Sequence, residues 1–160
     1  ASRCAMWWRS ASDTDAPAQE AHRAEIALKR KDYVEAERML RRVLETNPDD
    51  IAVNAMLCQC LLETNPAPHL DDIVMRLAKI MRSTDTNDQA HYLMGMVCKV
   101  KGDKRAVGFF RKALEINPNN LDAQREVRIA EMRRDQRREL ANNPVTKITN
   151  LFSNLFGGKK

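Results

Sequence analysis

The sequence predicts an all-α protein, a solenoid of about three antiparallel helix pairs closed by one further helix. Three observations lead there. A segment running Lys31, Asp32, Tyr33, Ala36, Leu40, Val43, Leu44 and Asn47-Pro48-Asp49-Asp50 returns as Gly102, Asp103, Ala106, Phe110, Ala113, Leu114 and Asn117-Pro118-Asn119-Asn120. The interval from Pro48 to Pro118 leaves room for one slightly enlarged unit between them. Within each segment the apolar residues keep helical spacing, as Ala36, Leu40, Val43 and Leu44 do. Finally, the chain is 43% hydrophobic with only 5 Gly and 6 Pro, which is material for a core but too little for the turns of an all-β fold.

Residues 1–16 read as a flexible leader, because the stretch from Ser10 to Pro17 is polar and turn-prone. Trp7 and Trp8 in it read as tail residues or as contacts to an upstream domain. A start at Ala1 rather than methionine fits a fragment of a longer protein.

The first unit covers 17–50. Ala24, Ala27 and Leu28 make a small-residue face on its first helix, and Pro48 ends its second, since proline cannot continue a helix. The second unit covers 51–87, with Leu57 and Cys58 at close-packing positions. Two prolines between Thr64 and Leu70 lengthen its turn, before Ile73, Leu77, Ile80 and Met81 resume the period. The third unit covers 88–120. Its Gly95 is expected where two helices approach too closely for a larger side chain. Residues 121–140 read as a capping helix, with Leu121, Ala123, Val127, Ala130 and Met132 inward and Arg and Glu outward. The whole repeat domain is thus expected over 17–140. Residues 141–160 form an amphipathic C-terminal tail in which Val145, Ile148, Leu151, Phe152, Leu155 and Phe156 recur at helical spacing, without one acidic residue.

The net charge of +5 is mild, and basic runs such as Arg133 to Glu139 are interleaved with acids, as on a solvated helix face. Cysteines at 4, 58, 60 and 98 do not form a disulfide framework. On a helix Cys58 and Cys60 point roughly 200° apart and cannot clasp one metal. They read as small buried hydrophobes in a reducing cytoplasm. No run is long enough to span a membrane, and the apolar patch at Trp7-Trp8 is too short for a signal peptide.

The recurring residues resemble the tetratricopeptide repeat family, whose units are antiparallel helix pairs of about 34 residues. Its first small-residue position holds Ala24, Cys58 and Gly95. Its second holds Ala36, Ile73 and Ala106, where Ile73 departs. Its terminal proline is met by Pro48 and Pro118 but replaced by Asp85, and its usual tryptophan is missing throughout. The resemblance implies a right-handed α-solenoid and a protein-binding role. A finer likeness joins Ala24 to Lys29 and Asn120 to Arg133, followed by the basic tail, to C-terminal modules of bacterial J-domain or signalling regulators. No His-Pro-Asp motif occurs here.

In that family the inner helices line a concave groove. The matching positions are Ala21, Glu25, Leu28 and Lys29, then Ala55, Met56, Gln59 and Leu62, then Tyr92, Leu93, Met96 and Lys99, with Arg125 and Ile129 from the last helix. Members that grip the acidic tails of heat-shock chaperones use a clamp of Lys, Asn and Arg. Here those positions hold Ala21, Glu25, Met56, Gln89 and Leu93, and Glu25 repels a carboxylate, so that partner class is not expected.

The expected function is therefore an adaptor that binds a partner helix or extended peptide in an apolar, methionine-containing groove. The tail is read as a disordered end, as a docking helix that engages a partner or another copy of the chain, or as a weak membrane-surface element. An alternative function is a chaperone like those of type III secretion translocators, against which the basic charge argues. Another is nucleic-acid binding through Arg125, Arg128, Arg133, Arg134, Arg137 and Arg138. No catalytic, cofactor or metal site is expected: His22, His69 and His91 have no partners at ligand spacing, and no Gly-rich phosphate loop is present.

Overall fold

The computed structural model describes the backbone over residues 4–143 and side chains from residue 16 onward. Among these residues the chain is seven α-helices: α1 Cys4–Lys29, α2 Tyr33–Thr46, α3 Ile51–Thr64, α4 Leu70–Ser83, α5 Asp88–Val100, α6 Ala106–Ile116 and α7 Leu121–Asn142. A 3-10 turn, Ala67–His69, leads into α4. The helices pair as α1 with α2, α3 with α4 and α5 with α6, and α7 packs on α6. Each inner helix also meets the next, α1 with α3 and α3 with α5, which stacks the pairs into one superhelical array.

Side-chain caps set where the inner helices begin. Asp50 accepts from the Val53 amide at 3.0 Å, Asn87 from Ala90 at 2.9 Å and Asn120 from Ala123 at 3.0 Å. Each satisfies an amide that the first helical turn leaves without a partner, for about 1 kcal/mol. The two short turns inside a pair use the left-handed region. Lys31 has φ 63° and Gly102 φ 69°. In both, the following residue reaches back five positions, Asp32 N to Ala27 O at 2.9 Å and Asp103 N to Cys98 O at 2.8 Å. These are Schellman stops, which turn the chain by nearly a half circle.

The core runs along the axis of the array. Leu40, Leu57, Leu61, Ile73, Leu77 and Leu93 are among its largest fully buried side chains. The central helix α3 is enclosed on most sides, burying Val53, Leu57, Cys58, Cys60 and Leu61. Gly95 sits where α5 crosses α6 as expected: a Cβ there would lie 2.5 Å from Phe110 Cε1 and 2.6 Å from Cδ1.

Two expectations are corrected. Residues 4–16, expected to be irregular, belong to α1, which is continuous from Cys4 with Pro17 inside it. A proline removes one helical hydrogen bond, yet the helix continues on both sides of Pro17. In α7, Leu121 and Met132 do not face inward. They are 74% and 53% exposed, and only Ala123 is fully buried. The inward stripe runs through Ala123, Val127 and Ala130, and at helical geometry Met132 lies on the other side. The tail residues Val145, Ile148, Leu151, Phe152, Leu155 and Phe156 lie outside the described residues.

Candidate functional site

The inner helices present a discontinuous row of half-buried side chains. Ala21, Glu25 and Leu28 come from α1; Met56, Gln59 and Leu62 from α3; Tyr92 and Met96 from α5. Lys29 and Lys99 stand at the rim, exposed. The row is bridged between helices: Gln89 Nε2 lies 3.5 Å from Gln59 Oε1, and Lys99 Nζ reaches both Glu126 carboxylate oxygens, at 2.8 and 2.7 Å. On α1, Glu25 takes a hydrogen bond from Lys29 at 2.7 Å, and that ammonium holds its carboxyl below the ordinary range.

Tyr92 is the aromatic centre of the row. Its ring lies 5.8 Å from that of Phe110, tilted by 42°. Burial first, then the nearby carboxylates of Asp122, Glu126 and Glu63, push its hydroxyl up to about 12. The surrounding charge is mixed rather than basic, with Lys99 and Arg125 set against three acids.

Leu93 and Ala55 do not belong to the row. Leu93 is 2% exposed and Ala55 6%, and both lie in the core. Met56 is the counterpart of Leu93 one unit earlier and stays half exposed. Leu93 is covered where α5 is overlaid by the neighbouring helices, so one repeat position serves as surface in one unit and as core in the next. Ile129 and Arg125 remain accessible on α7.

A cavity of about 710 Å³ opens at the far end of this row, between the start of α6, the turn before it and the second half of α7. Val107, Phe110, Ile129 and Ala130 form its apolar part. No set of three or more His, Cys, Asp and Glu residues that could hold a metal occurs among the described residues. Cys58 and Cys60 are fully buried, and burial pushes both thiols up to about 12, which leaves almost no thiolate for reaction. No described helix is long and apolar enough to cross a membrane.

One set of residues was missed in the sequence. At the place of the family's tryptophan stand Asn54, His91 and Gln124. Each reaches back six residues to a carbonyl in the loop from the preceding unit: Asn54 Nδ2 to Pro48 O at 2.9 Å, His91 Nε2 to Asp85 O at 3.3 Å, and Gln124 Nε2 to Pro118 O at 2.5 Å. Asn54 also donates to Asp50 O at 2.8 Å, and its own oxygen accepts from Arg76 at 2.7 Å. The constant six-residue offset of a polar side chain from the loop was the available signal.

The comparisons with known proteins agree with this architecture. Residues 27–65, from the end of α1 through α3, match the family model described as Tetratricopeptide repeat. A search of curated proteins returns no match. Among solved structures, a mutant O-GlcNAc transferase of Thermobaculum terrenum superposes with a TM-score of 0.65 and 22% identity, over 74% of this chain and 22% of that one. The Arabidopsis OM64 TPR domain superposes at 0.60 with 19% identity, over 71% of this chain and 93% of that domain. The MamA RS-1 ArsTM double mutant gives 0.58 with 16% identity, over 78% and 69%. This chain therefore spans only 22% of the transferase, and at such identities the likeness is one of fold. Residues 27–65 thus match the tetratricopeptide repeat family model, and the stacked helix pairs of the whole array share the fold of these solved structures.

Proposed function

We propose that the inner face of this scaffold binds a helix or extended segment of another protein. The observation that supports this reading is the row Leu28, Met56, Leu62, Tyr92 and Met96, drawn from three successive inner helices. Each packs against the core and stays partly exposed. Covering the exposed part gains roughly 25 cal/mol per Å² of apolar surface, and methionine adapts to partners of different shape. Gln59 and Gln89 between them offer donors and acceptors to a peptide backbone. An acidic chaperone tail is a poor occupant, since Glu25 and the acids around Tyr92 oppose it.

The test is a pull-down with the wild type beside Met56→Glu/Met96→Glu. Both side chains reach solvent, so the double variant keeps its helical circular dichroism. Leu93 is unsuitable for this purpose because a charge there would be buried. A partner captured by the wild type and lost from the variant supports the inner face. Equal capture by both removes it.

A further inference from the structure

The cleft between α6 and the second half of α7 has a chemistry different from the inner face. Its floor is apolar, made by Val107 and Phe110 of α6 and by Ile129 and Ala130 of α7. Beyond that floor α7 lines the cleft with Arg133, Arg134, Arg137 and Arg138. The pattern follows from helical geometry: residues three and four apart share a face, so one stripe of α7 passes from Ala130 into the arginines. Asp135 and Glu139, interleaved with them in sequence, are not in the lining. Among the described residues none of the four arginines has a carboxylate within ion-pair distance, whereas Arg111 on the facing helix already reaches Glu131 at 3.3 Å. Helix α7 has 22 residues against 11 in α6, so its second half extends past the start of α6 and carries the arginine wall with it.

The geometry points to this cleft as a second docking site, for an acidic amphipathic helix of a partner protein. Charge complementarity selects that occupant. Four guanidinium groups without acidic partners favour carboxylates, which they can hold through paired N–H bonds. The aliphatic and aromatic floor favours apolar side chains at helical spacing, laid between two helices in the manner of a helix in a groove. The chain's own residues 144–160 are the wrong occupant, because they carry three lysines and no acid. A nucleic-acid backbone would satisfy the arginines but gain nothing from Val107, Phe110 and Ile129.

The test selects a displayed library of random sixteen-residue peptides on the wild-type chain and on Arg134→Glu/Arg137→Glu. Both arginines are exposed, and their replacement by a good helix former leaves α7 intact by circular dichroism. The expected yield from the wild type includes a class of sequences with Asp and Glu on one helical face and Leu or Phe on the other. Synthesised singly, these peptides should bind the charge-reversed variant about tenfold more weakly or worse. They should bind Met56→Glu/Met96→Glu as tightly as wild type, which separates this cleft from the inner face. Failure to recover an acidic class, or recovery of one indifferent to the reversal, overturns the assignment. So does a single-stranded oligonucleotide that binds through the same arginines when the peptides do not.

Discussion

Replacing Gly95 by alanine tests how closely α5 and α6 cross. An alanine in an exposed helix interior is worth about 1 kcal/mol over glycine, so a glycine placed there by chance would make Gly95→Ala stabilising. Here the added methyl would meet Phe110 Cε1 at 2.5 Å and Cδ1 at 2.6 Å. Ordinary carbon contacts lie near ~3.5–4.0 Å, so the two helices or the ring must give by about 1 Å. The ring has little freedom, since Phe110 is buried and Tyr92 stands against it at 5.8 Å. Overpacking of this kind costs about 1–3 kcal/mol, and after the propensity gain of about 1 kcal/mol the net loss is about 0–2 kcal/mol. Urea unfolding followed by circular dichroism reads this as a lower midpoint at unchanged slope. The double variant Gly95→Ala/Phe110→Leu separates the cause. Without the aromatic edge the alanine should be neutral or stabilising, a coupling of about 1–3 kcal/mol. A raised midpoint for Gly95→Ala alone, or additivity in the double variant, would refute the close crossing.

Two further measurements bear on the fold. Lys31 holds a left-handed φ that costs a non-glycine residue about 1–2 kcal/mol, so Lys31→Gly should be neutral to stabilising by about 1 kcal/mol, while Gly102→Ala should destabilise by a similar amount despite the open space around it; thermal melts of both check the sign. Tyr92 titrates at about 12 in the folded chain and near ~10 unfolded, so burying its neutral phenol contributes stability that is fully present below pH ~10 and lost as pH rises towards 12. Tyr92→Phe keeps the ring and removes the titration, and its unfolding midpoint should therefore fall less than that of wild type between pH ~8 and ~11.

The outer helices were the most legible part of the sequence. Ala36, Leu40 and Val43 on α2, and Ala106, Phe110 and Ala113 on α6, are buried at the spacing their pattern implies, because each of those helices has one face to the core and one to water. The inner helices were harder. On α3 the residues Val53, Ala55, Cys58, Cys60 and Leu61 are buried in nearly every direction, so periodicity could not separate a groove residue from a core one. Ala55 and Leu93 were misplaced for that reason. On α7 the density of charge hid which stripe turned inward, and Leu121 and Met132 were assigned by hydrophobicity rather than by angle. The arginine stripe of the cleft is legible in the sequence, but its apolar floor is not, since that depends on how far α7 extends past α6.

The back-reaching side chains Asn54, His91 and Gln124 bear on where one repeat can be cut from the next. Each belongs to an inner helix but closes on a carbonyl of the loop before it, at Pro48, Asp85 or Pro118. The natural seam therefore lies ahead of that carbonyl, at the end of the outer helix, and the loop travels with the helix it precedes. Units grafted with their leading loop arrive with the staple intact. Units cut at the first residue of the inner helix separate each of these side chains from the loop carbonyl it closes on.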